Sequence, residues 1–129
     1  MARQVLPRPT DGELEILRVL WREGPCTVRQ VQQTLARRRP TGYTTVLKLL
    51  QIMTEKGLVL RDATQRTHVY RPRLSEDQTQ RQLVKDLVER AFGGSAQQLM
   101  MQALAAGKAS AKELAEIRQL LDDLERGKP

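Results

Sequence analysis

Residues 41–60 read TGYTTVLKLLQIMTEKGLVL. Val46, Leu49, Leu50 and Met53 recur at helical spacing and predict one buried helix face, starting near Thr41-Gly42. The other side carries Tyr43, Thr44, Thr45, Lys48 and Gln51. Lys48 lies one turn from the two threonines and shares their face. Lys56-Gly57 closes the helix, with a cation for the dipole and a glycine for a left-handed cap. Leu58-Val59-Leu60-Arg61 then reads as a strand.

Upstream, Thr10-Asp11-Gly12-Glu13 fits a capping box, in which the threonine and the glutamate each bond the other's backbone N–H. Leu14, Leu17, Leu20 and Trp21 follow on one face, with Trp21 expected in the core, and Gly24-Pro25 stops the helix. Thr27-Val28-Arg29-Gln30 is a second box, leading a short helix with Val28, Val31 and Leu35 inward. Arg37-Arg38-Arg39-Pro40 reads as a turn. Residues 1–9, MARQVLPRP, have no apolar period and read as an extended arm. Downstream, 62–67 are polar turn residues, and His68-Val69-Tyr70-Arg71 is a second strand ending at Pro72. The hairpin carries Arg61, Arg66 and Arg71. The order is helix, helix, turn, helix, basic hairpin: a winged helix-turn-helix.

A recognition helix must present a polar face to a major groove about 12 Å wide. Tyr43, Thr44, Thr45 and Lys48 are the candidate reading residues, with free backbone N–H groups near Thr41 and Gly42 suited to a phosphate. Arg37, Arg38, Arg39 and Arg66 are candidate phosphate contacts, and His68 reads as a wing residue near phosphate. Each has an ordinary alternative: solvated turn cations, or hairpin arginines that only protect an edge strand. The charge distribution favours the duplex. Residues 1–74 hold 14 Lys/Arg against 6 Asp/Glu, whereas residues 75–129 hold 8 against 9. Aromatic residues are only 3% of the chain, too few for single-strand stacking. A winged-helix adaptor that contacts protein is the alternative, and salt dependence of binding separates the two.

Residues 75–129 show no strand signal. Ser75, Ser95 and Ser110 each open a helix, and Gly93-Gly94 and Gly107 separate them. Leu83, Val84, Leu87, Val88 and Ala91 line the first. Leu99, Met100, Ala103 and Leu104 line the second, with Met100 and Met101 expected as gap-filling core. Leu114, Ile117, Leu121 and Leu124 form an a/d-like seam. These faces either fold back on the same chain or pair with a second copy. The size of the apolar strip favours a homodimer through Leu83, Leu87, Leu114, Ile117, Leu121 and Leu124. The organisation is then mainly α with a small β-hairpin: a winged helix-turn-helix domain over 1–74 and a helical dimerisation domain over 75–129.

With 129 residues, composition points away from catalysis. One cysteine and one histidine cannot build a cysteine or histidine metal centre, no hydrolase triad has motif spacing, and the acidic residues of the first half are scattered. No metal or cofactor is expected. No apolar run approaches the ~18 residues of a membrane span, so no membrane insertion is expected, and the opening residues lack a secretory pattern. Cys26 precedes a helix N-cap, where a thiolate gains some stabilisation. A small semi-buried residue is the simpler reading.

The stretches PTDGELEILRVLW, GPCTVRQV, YTTVLKLLQIMTEKGLV and VYRPRLS resemble the penicillinase and methicillin-resistance repressors and the related copper-responsive repressors (the BlaI/MecI/CopY type). RAFGGSAQQL and ELAEIRQLLDDL extend the match over nearly the whole chain. The resemblance implies a dimeric winged-helix transcriptional repressor of the bacterial cytoplasm that binds a palindromic operator in double-stranded DNA. It maps the recognition helix onto Thr44 to Met53 and its contacts onto Thr44, Thr45, Leu47 and Lys48. Leu47 departs from those family members that carry arginine there. In the antibiotic-resistance branch a regulatory protease cuts between an asparagine and a phenylalanine, and the corresponding residues here are Gln102 and Ala103. The paired cysteines of the copper branch are absent.

Overall fold

The computed structural model describes residues 8–127; the arm expected over 1–9 lies, but for its last two residues, outside them. The order is α1 (Asp11–Glu23), α2 (Val28–Ala36), α3 (Tyr43–Lys56), β1 (Val59–Asp62), β2 (Val69–Pro72), α4 (Glu76–Ala91), α5 (Ala96–Ala106) and α6 (Ala111–Glu125). This is a winged helix-turn-helix followed by helices.

Local chemistry accounts for the helix starts. Thr10 Oγ1 accepts from the Glu13 N–H at 3.2 Å while Glu13 Oε1 accepts from the Thr10 N–H at 2.8 Å. The same reciprocal pair forms between Thr27 and Gln30, Ser75 and Gln78, and Ser110 and Glu113. Ser95 caps α5 through the Gln98 N–H. At the end of α3, Gly57 adopts φ +80°, a left-handed conformation that strains any side chain. The Leu58 N–H then turns back to the Met53 carbonyl at 2.9 Å. Leu58 therefore belongs to the helix exit, and β1 starts at Val59, one residue later than the pattern predicts.

The wing pairs antiparallel, Val59 opposite Pro72 and Asp62 opposite Val69. The sequence reading missed a third piece of this sheet. Cys26 and Tyr70 exchange backbone hydrogen bonds of 3.0 and 2.8 Å, which pins the α1–α2 connection to the wing. The core closes between these elements: Ile16, Leu17 and Leu20 from α1, Val31 from α2, Val46, Leu50 and Met53 from α3, and Val59 and Tyr70 from the hairpin. Leu14, Trp21, Leu35 and Leu49 pack on its edge. Trp21 is thus half-buried, and its indole N–H donates to the Leu74 carbonyl at 3.0 Å.

One ionic contact crosses this unit. Glu13 is 2% exposed, and its Oε1 lies 2.7 Å from Lys56 Nζ. The start of α1 is thereby tied to the end of α3. Burial pushes the Glu13 carboxyl up, but the Lys56 ammonium and the Thr10 hydrogen bonds outweigh it, leaving the carboxyl below its ordinary range.

Packing groups the residues into two units that meet after Leu83, inside α4. The first two turns of α4, with buried Thr79, stay with the winged helix. The second unit, from Val84 onward, has no buried residue among those described. Met100 and Met101 were expected to fill gaps in a core; they are exposed, Met101 by 63%. Helical spacing identifies an apolar face, but nothing within this unit covers this one.

Candidate nucleic-acid interface

Among the described residues, α3 is the one helix whose N-cap, Gly42, supplies no side-chain hydrogen bond. Its first-turn amides are left for another acceptor. Tyr43, Thr44, Thr45 and Lys48 all stand exposed on this end of the helix, as the pattern requires. Leu47 differs from them. It is half-buried, packing on the core, and it also borders a cleft towards the wing.

That cleft, of about 490 Å³, lies between the start of α2, the start of α3 and the hairpin. Arg29, Tyr43, Leu47, Arg66 and His68 line it, with Tyr70 at its base, and no carboxylate faces it among the described residues. Arg29 was not singled out by the sequence reading. Its guanidinium lies 5.8 Å from the centroid of the Tyr43 ring, within cation–π range. The available signal was its position just inside the Thr27 cap, on the helix that precedes the recognition helix. At the wing turn, Asp62 accepts from the Thr64 hydroxyl at 2.7 Å and the Thr64 N–H at 2.9 Å. Those bonds hold its carboxyl below the usual range and order the turn that carries Arg66.

The structure does not bring Arg37, Arg38 and Arg39 to this cleft. Arg37 and Arg38 line a second groove with Arg18 and Arg22 of α1, where Glu15 and Glu23 also face in. Arg39 reaches back to Glu15 at 2.7 Å. The turn therefore directs its cations along α1. The sequence showed three adjacent arginines but not the direction in which the turn faces.

Cys26 does not have the activated thiolate that its position before a helix start suggested. It is 5% exposed, and burial, followed by the nearby Glu23 charge, pushes its thiol up. Its Sγ lies 3.2 Å from the Gly24 carbonyl. No group of three or more His, Cys, Asp or Glu residues is placed to hold a metal among the described residues. No helix among them is long and apolar enough to cross a membrane.

In the second unit, Leu87, Leu114, Leu121 and Leu124 are exposed, while Leu83 (at the end of the first unit) and Ile117 are half-buried. Gln102 and Ala103 are exposed within α5, where the Ala103 carbonyl accepts from the Gly107 N–H at 3.0 Å.

Known proteins share this family and fold. A family model described as penicillinase repressor matches residues 9–123. The transcriptional regulator BlaI of Mycobacterium tuberculosis is 34% identical over 123 residues, covering 95% of this chain and 88% of that protein. The penicillinase repressor of Bacillus licheniformis is 22% identical over 118 residues, 92% of each chain. Among solved structures, the DNA binding domain of the repressor BlaI shares the fold, with a TM-score of 0.50 and 24% identity over 57% of this chain and 90% of that one. With the match running from the arm to the last helix, the chain belongs to the penicillinase repressor family.

Proposed function

We propose that this protein is a homodimeric transcriptional repressor of the cytoplasm that reads a palindromic operator with α3 and the wing. The observation that carries the reading is the start of α3: exposed Thr44, Thr45 and Lys48 beside free amides and a carboxylate-free cleft holding Arg29 and Arg66. Threonine can bond a base or a phosphate, lysine a guanine edge or a phosphate, and free helix amides a phosphate. The cations supply affinity, and the helix face supplies selectivity. Arg37 and Arg38 sit on another groove, so their phosphate contacts lie apart from those of Arg29 and Arg66.

The second unit supports pairing. Its leucine seam holds no buried residue among those described, and a face of this kind on a single copy invites a partner. Two copies place two α3 helices in major grooves about 34–36 Å apart, one helical turn, or at a multiple of that spacing. Release then follows from any event that separates the copies, because the two-site advantage is lost. Cleavage at Gln102–Ala103 by a regulatory protease would do this. The bond lies inside α5, so the helix must first unwind locally.

The test is selection of bound duplexes by the full chain from fragmented DNA of its own genome. The expected result is a two-fold repeated half-site at one-turn spacing or a multiple of it. Recovery of bulk DNA with no enriched sequence would overturn the reading.

A further inference from the structure

In the first two turns of α3, the apolar residues divide by where they face. Val46 and Leu50 are sealed in the core, and half-buried Leu49 lies against α1, where a Cβ on Gly12 would stand 3.8 Å from its Cδ1. Of these four aliphatic residues only Leu47 borders the cleft between α3 and the wing, one turn on from Tyr43, which lines the cleft too. The Leu47 side chain has no donor or acceptor. A major-groove base edge offers hydrogen-bonding groups and one apolar feature, the C5 methyl of thymine. Set against any other edge, Leu47 takes water from a polar group and returns nothing.

The geometry points to Leu47 as a thymine-methyl reader, the residue that makes one position of each half-site selective for thymine. This rests on the duplex-reading role proposed above. The selectivity acts through desolvation and van der Waals contact, so it is insensitive to salt, unlike the phosphate contacts of Arg29 and Arg66.

The experiment uses the full chain and the duplex it selects. Each thymine of the half-site is replaced in turn by uracil, which differs only in lacking the methyl. At one position, symmetric replacement is expected to weaken binding about fourfold per half-site and about 15-fold in both, the value of one buried methyl. In Leu47→Ala the ratio of thymine to uracil affinity at that position falls to near one. Because the ratio is taken within one protein, any loss of folding in the variant cancels. Equal binding of thymine and uracil duplexes by the unaltered chain overturns the inference, as does a uracil penalty that persists in Leu47→Ala, or a selected half-site without thymine. If no sequence is enriched at all, the repressor reading itself has failed and this inference falls with it.

Discussion

The two units of this chain carry apolar residues at similar helical spacings but differ in what covers them. In the winged helix, Ile16, Val31, Val46, Leu50 and Met53 are wholly buried by one another and by the hairpin. From Val84 onward no described residue is buried, and Leu124 is 62% exposed. The first unit can satisfy its own hydrophobic faces because three helices and the hairpin enclose a common centre. In the second, the apolar stripes of α5 and α6 stay open. A closed reading head joined to an unfinished helical surface is the arrangement expected if reading is done by each copy and assembly by two.

The open side should respond most strongly to substitution. Leu121→Asp places a charge in the seam and should turn a dimer into a monomer in sedimentation. Operator affinity should fall by about 10²–10⁴-fold as the linked second site is lost. A variant that still sediments as a dimer would place the interface elsewhere. On the closed side, Leu50→Ala leaves a cavity in a core with no exposure and should cost about 2–5 kcal/mol in denaturant unfolding. A loss below about 1 kcal/mol would show that the two units are less different than their burial implies.

The Glu13–Lys56 pair belongs to the closed side, where it locks α3 to α1. Glu13→Gln should cost about 1.5–3 kcal/mol, the range for a hydrogen bond to a charged group. The folded carboxyl titrates below its unfolded value, so its contribution is complete above an ordinary glutamate pKa of about 4.3. That contribution is lost as pH falls through the lower folded value. Unfolding midpoints of the unaltered protein should therefore drop across this acid window, with a smaller drop in Glu13→Gln. Parallel curves would remove the pair as a pH-dependent tie. Smallest is Lys48→Ala, which should weaken operator binding and lower the salt slope by about one while leaving the dimer intact. Unchanged binding in a titration would take Lys48 off the reading face.

What could be read from sequence follows the range of the interactions. Helix starts were legible because Thr10, Thr27, Ser75 and Ser110 bond groups only three residues away. The Cys26–Tyr70 bridge and the Glu13–Lys56 pair were not, since each joins residues more than 40 positions apart and Glu13 already has a local role as a cap. The exposure of Tyr43, Thr44, Thr45 and Lys48 was legible because a polar face opposite a buried one is a periodic signal. Arg29 was missed because it meets Tyr43 only through tertiary packing. Arg37 to Arg39 were read as a cluster, but the turn geometry sends them along α1. Met100 and Met101 show the remaining limit: a period marks a face as apolar without saying which chain covers it.

On the proposed reading, the end of α3 and the cations beside it meet a duplex backbone. The decisive experiment is titration of the full chain against its selected duplex between 50 and 200 mM salt. If a dimer engages about six to ten phosphates, affinity should fall about 10³–10⁵-fold across that range. An affinity that stays flat would rule out the duplex backbone as the partner and leave the protein-contacting adaptor as the better description.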